Sequence, residues 1–129
     1  MRYLKKYNES ISNNLVDFIK DVFIPIRDHE LTQVWQDQGD ILIFYITRMS
    51  GSRFGNFFET SLVKDEVEHL ISELESGWGY TLQSIRCKKI RNWCIIYDEN
   101  SERNIYELFD NLILSSHKSI NSLEIKFKK

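Results

Sequence analysis

Apolar and polar positions along this chain recur with two different periods, and the switches between them mark its elements. From 10 to 24 the apolar residues Ile11, Leu15, Phe18, Ile19, Val22 and Phe23 fall at steps of three and four. That is the stripe of a helix with one buried face, and Asn14, Asp17, Lys20 and Asp21 make its wet side. Pro25 disfavours helical geometry at Ile24, so the helix is predicted over Ser10–Ile24, with a turn at Asp28-His29. A short strand is predicted at Leu31–Gln36, joined through the Asp37–Asp40 loop to Ile41–Arg48, the most apolar run in the chain. Ile-Leu-Ile-Phe-Tyr-Ile has no polar face and is too short for a helix, which predicts a central strand covered on both sides.

Further along, Arg53–Glu59 reads as a third strand interrupted at Gly55. Val63, Val67, Leu70, Ile71 and Leu74 predict a second helix over Leu62–Ser76, with an Asp65/Glu68 capping box and a stop at Gly77. Tyr80–Cys87 and Trp93–Tyr97 predict a hairpin around a Lys88–Asn92 tip. Ile105, Leu108, Phe109, Leu112 and Ile113 predict a third helix over Ser101–Ile113. Leu123–Lys128 alternates strictly and is expected to be an edge strand with one wet face and protective lysines. Hairpins separated by helices give an α+β class: one domain, 1–129, with an antiparallel or mixed sheet of about five to six strands and three helices packed on it. Should all three helices lie on one face, the outward residues of Ile41–Arg48 would form an exposed patch and a homodimer interface.

Composition narrows the class without naming a function. The chain has 129 residues, 19 acidic and 17 basic, for a net charge of −2, which gives no bulk attraction to nucleic acid or membrane. No apolar run approaches the roughly 18 residues of a membrane span, and Lys5 and Lys6 are followed by polar residues instead of a leader's apolar core, so a cytoplasmic protein without a membrane partner is expected. Cys87 and Cys94 are too few for a disulfide framework. They are expected to face each other across the hairpin as reduced thiols. His29, His69 and His117 have no histidine or cysteine at metal-ligand spacing, and phosphate loops and nucleophile elbows are absent. The expectation is a protein with no catalytic residues, metal or cofactor.

Two charged features suggest partners. Asp65, Glu66, Glu68, Glu73 and Glu75 crowd the second helix, and such a face steers a basic partner; Glu66 and Glu73, with Trp78 and Tyr80 as exposed aromatic anchors beside glycine, are the candidate protein-binding residues. Arg86, Lys88, Lys89 and Arg91 gather at the second hairpin next to Trp93, the candidate nucleic-acid-binding set. Glu124-Ile125-Lys126 has the Glu-x-Lys form of restriction-type nucleases, but with no metal-binding Asp on a preceding strand it reads as plain strand.

The run from Val16 to Asp28, Val-Asp-Phe-Ile-Lys-Asp-Val-Phe-Ile-Pro-Ile-Arg-Asp, followed by the Ile41 strand, resembles small accessory proteins of tailed bacteriophages. That resemblance implies a stoichiometric binder or inhibitor of a host, defence or toxin protein. The order of elements also resembles class I chaperones of type III secretion, and the size, acidity and lack of catalytic signature resemble toxin-immunity proteins. All three imply an interaction protein whose partner is another protein, with nucleic-acid binding through the basic hairpin as the alternative.

Overall fold

The structure, a computed structural model, describes residues 15–53, 55–100, 107, 110 and 119–129. Residues 15–23 form the first helix, α1, whose Ile19, Val22 and Phe23 are buried as the periodicity requires. A 3-10 turn, Ile24–His29, carries Pro25 in its first turn and ends at Glu30 in the left-handed region, φ 57°. Strand β1, Leu31–Asp37, and strand β2, Ile41–Arg48, form the expected hairpin. At its tip Gly39 has φ +80° and donates its N–H to the Asp37 carboxylate at 3.0 Å.

The predicted strand at Arg53–Glu59 is reduced to β3, Phe58–Glu59. A 3-10 turn, Thr60–Leu62, precedes helix α2, Lys64–Gly77, whose Val67, Leu70, Ile71 and Leu74 are buried. The Asp65/Glu68 capping box does not form: the N-cap residue is Val63, with no side-chain cap, and Asp65 and Glu66 lie in the first turn, where they complement the helix dipole. Strand β4, Thr81–Lys89, and strand β5, Asn92–Asp98, are longer than predicted, because the tip is only Ile90 and Arg91. Strand β6, Ser119–Ile120, pairs with β3 in a small second sheet, and strand β7, Ser122–Lys128, completes the main one. The third helix expected over Ser101–Ile113 lies outside the described residues except for Glu107 and Asp110, which are helical. Two helices, α1 and α2, are described in full runs, Glu107 and Asp110 are isolated helical positions, and the class is α+β.

The main sheet is antiparallel with the order β1-β2-β7-β4-β5, so the expectation for the last strand is reversed: β7 lies at the centre. It pairs with β2 on one side and β4 on the other, and Ser122, Leu123, Glu124, Ile125 and Phe127 are all buried. Its alternation is real: Leu123, Ile125 and Phe127 point to one face of the sheet and Ser122, Glu124 and Lys126 to the other, where the side chains of β2 and β4 flank them.

Residues opposite one another in an antiparallel ladder share a face. On one face Leu42, Phe127 and Leu82 make a row, then Phe44, Ile125 and Ile85, then Ile46, Leu123 and Cys87. All nine are buried in one cluster with Ile19, Val22 and Phe23 of α1 and Val67, Leu70, Ile71 and Leu74 of α2. Both helices thus cover the same face. Among the described residues no helix covers the second side of β2: Leu42, Phe44 and Ile46 are buried, whereas Ile41, Ile43, Tyr45 and Thr47 on the other parity are only partly so. No described helix is long and apolar enough to cross a membrane.

Candidate interaction surface on the open sheet face

The uncovered face is built from the second parity of the same five strands. One row crosses it as Val34, Tyr45, Glu124, Arg86 and Ile95. Above it run Thr32, Thr47, Ser122, Lys88 and Trp93, and below it Gln36, Ile43, Lys126, Ser84 and Asp98. Large apolar side chains stand bare at both ends: Val34 is 56 % exposed, Ile95 68 % and Trp93 39 %.

The centre of the row is polar and tightly paired. Glu124 is only 4 % exposed although no described helix covers it. Arg86 shields it, donating from Nε to Oε1 at 2.8 Å and from Nη2 to Oε2 at 2.6 Å, a bidentate charge-assisted pair. On its other side Glu124 has Tyr45 as its ladder neighbour; burial and the neighbouring negative charge push the phenol's pKa up. The hydrogen bond to Glu124 likewise raises that of Arg86. The triad ties β2, β7 and β4 together, because a slip of one residue would leave a buried carboxylate unpaired. Arg86 continues outward over the Trp93 ring at 4.9 Å, with Lys88 Nζ at 5.8 Å.

One end of the face opens into a cleft of about 380 Å³ lined by residues that include Arg48, Asn56, Lys88, Ile90, Trp93 and Asn121. Asn121 organises it: its N–H donates to the Lys88 carbonyl at 2.8 Å, its Nδ2 to the Asn56 carbonyl at 3.3 Å, and its Oδ1 accepts from the Ile90 N–H. Those bonds hold Ile90 at φ 63°, a left-handed conformation that a β-branched residue rarely adopts. Its side chain is consequently presented to solvent at the hairpin tip.

The residues singled out from the sequence are scattered. Glu66 and Glu73 are half-buried on α2; Glu66 lines a shallow recess of about 300 Å³ with Phe18, Asp21, Val22, Asp65 and His69, and Glu73 does not. The expectation of exposed anchors at Trp78 and Tyr80 is overturned. Trp78 stacks on Phe18 at 5.0 Å, and Tyr80 is 5 % exposed, its N–H donating to the Leu74 carbonyl at 3.0 Å. The two aromatics seal the exit of α2 instead of reaching outward. The basic hairpin is split: Arg86, Lys88 and Trp93 share the open face, Lys89 has the opposite parity, and Arg91 is exposed at the tip. Cys87 and Cys94 do face each other, neither in a disulfide, with burial pushing the Cys87 thiol up to about 11. Among the described residues no cluster of His, Cys, Asp or Glu is arranged to hold a metal ion.

Sequence reasoning missed Val34, Tyr45, Glu124 and Ile95. Strand parity was the available signal for Val34, Tyr45 and Ile95, which alternate with Leu31, Phe44 and Cys94 on the core side; what it lacked was the order of the strands. No protein-family model matches the chain, and no match is found among curated proteins or solved structures.

Proposed function

We propose that this is a non-enzymatic binding protein that docks another protein, stoichiometrically, on the open face of its sheet. The observation that carries the reading is the central row: Val34 and Ile95 bare at its ends, with Tyr45 and Arg86 between them over a buried carboxylate and Trp93 adjacent. Trp, Tyr and Arg are the residues on which interface energy concentrates, and a prepaired Arg costs little to desolvate further. The inhibitor, immunity and chaperone roles implied by resemblance are all forms of this reading. Compared with the acidic side of α2, this face offers what a docking surface needs, exposed apolar area on a rigid support. Tagged purification from the cell that encodes the chain tests it. The expected result is a stoichiometric partner that Val34→Glu, on the strand farthest from β5, releases while the circular dichroism spectrum is kept. Absence of a partner at low salt, or one that survives the substitution, would overturn it.

Nucleic-acid binding is the second reading, favoured by the cleft in which Trp93 meets Lys88, Arg48, Asn56 and Asn121. It ranks lower because Arg86 and Lys88 already sit over the Trp93 ring, so a stacked base must displace them. It predicts salt-dependent gel shifts with single-stranded DNA or RNA that weaken in Lys88→Glu/Lys89→Glu.

A further inference from the structure

We propose that two copies of this chain pair with each other through strand β5, antiparallel, about a twofold axis at Cys94. The starting point is an outer strand with little protection. Among the described strands β5 is bonded to β4 on one side only, and Trp93-Cys94-Ile95-Ile96-Tyr97 contains neither charge nor proline, the usual means by which edges refuse partners. The opposite edge, β1, is interrupted by Gln33 and Gln36.

The direction of the backbone groups selects the register. The Lys88 carbonyl accepts from Asn121 on the β7 side, so Lys88 turns its backbone polar groups away from β5. Its ladder partner Trp93 must then turn its own N–H and C=O outward, as alternation in an antiparallel pair demands. Two residues on, Ile95 does the same. The ladder shifts immediately afterwards, with Arg86 opposite Ile95 but Ile85 opposite Tyr97, leaving Ile96 as an extra residue. Trp93 and Ile95 are therefore the two outward-bonding positions of the regular stretch, and Cys94 is midway between them.

A twofold axis at Cys94 sets Trp93 opposite Ile95 of the second copy and Ile95 opposite its Trp93, so both outward positions are bonded and the bulge stays outside the regular pairing. The side chains then agree with the backbone. Trp93 and Ile95 stand on the same face, both exposed, and each covers the other across the axis as an aromatic/β-branched pair. The charges agree as well: Arg91 precedes β5 and Asp98 and Glu99 close it, so antiparallel pairing carries the basic end of each copy to the acidic end of the other. An axis at Ile95 would place the bulged Ile96 opposite Cys94, and an axis at Trp93 would set Ile95 against Arg91. A second copy is thus the occupant this edge fits.

The Cys94 pair is the reporter. It would be a non-hydrogen-bonded pair with Cα atoms about 4.5 Å apart, within the roughly 4.4–6.8 Å that a disulfide spans. The test uses the full chain with Cys87→Ala, which removes the competing thiol. Light scattering under reducing conditions should give twice the 15.5 kDa chain mass, and Ile95→Lys, at an exposed site, should give the single mass. With diamide, which takes up the two electrons and two protons as the thiols join, the dimer should become covalent through Cys94. In a Cys87→Ala/Cys94→Ala background, Trp93→Cys mixed with Ile95→Cys should crosslink at least about tenfold faster than either variant alone, because only the mixed pair is held face to face. A reduced monomer at micromolar concentration, a dimer indifferent to Ile95→Lys, or equal crosslinking of mixed and single variants would each overturn the proposal.

Discussion

The two faces of the main sheet are made by the same strands in the same register and are stabilised in opposite ways. On the helix-covered face, Phe44, Ile125 and Ile85 are fully buried in the apolar cluster, and burial of carbon does the work. On the open face the same strands place Tyr45, Glu124 and Arg86 side by side, held by hydrogen bonds and charge, with bare apolar residues at the rim. The difference shows how a strand is central without being apolar on both sides: a carboxylate is tolerated in mid-sheet when a guanidinium pairs with both of its oxygens. The covered face supplies most of the stability, and the open face supplies register and an exposed surface.

That division is open to four measurements. Phe44→Ala should be the most damaging, costing about 3–5 kcal/mol in urea unfolding, because a fully buried ring packed on Phe23, Trp35 and Phe127 leaves a cavity. Loss under about 1 kcal/mol would mean the covered face is not the core. Arg86→Met should cost about 2–3 kcal/mol, less than a fully buried pair because the arginine is partly exposed, by stranding the Glu124 carboxylate. Adding Glu124→Leu should recover most of that loss, and a double-mutant cycle with no coupling would deny the pair its role.

Cys87 tests the covered face by pH. Its thiol is held up at about 11 in the folded protein against an ordinary value near 9.0, so the folded state keeps a proton that the unfolded chain has released. Stability is therefore full below about pH 9 and declines as pH rises toward 11, by about 2 kcal/mol. Cys87→Val should flatten part of that slope in unfolding at pH 8 and 10.5, the rest coming from Tyr45 and Tyr80, whose pKa values are also raised. The smallest effect belongs to Val34→Ser, expected within about 0.5 kcal/mol of the parent despite replacing a large apolar residue. A cost near that of Phe44→Ala would mean that Val34 is covered.

Much of the fold is written locally. The β2 boundaries, the β1–β2 turn at Gly39, the buried stripe of α2 and the Cys87/Cys94 register all follow from periodicity and turn chemistry within a few residues. The misreadings share a cause. Leu123–Lys128 looks like an edge because Glu124 and Lys126 are polar, and what makes Glu124 buriable is Arg86, 38 positions away. Trp78 and Tyr80 look exposed beside Gly77 and Gly79, and what buries them, Phe18 and the end of α2, is again distant or set by the turn's direction. The interaction surface was hardest to see, since it is assembled by strand order, which no single window contains.

The central place of β7 also has a kinetic meaning. β1–β2 and β4–β5 are local hairpins, each able to zip on the microsecond scale, but they are not neighbours in the sheet. β7 follows both in the chain and is the strand that joins them, so neither the covered core nor the Arg86–Glu124 pair exists until it inserts. The fold therefore depends on a non-local closure in which one strand completes two half-sheets at once, the kind of long-range pairing that slows folding.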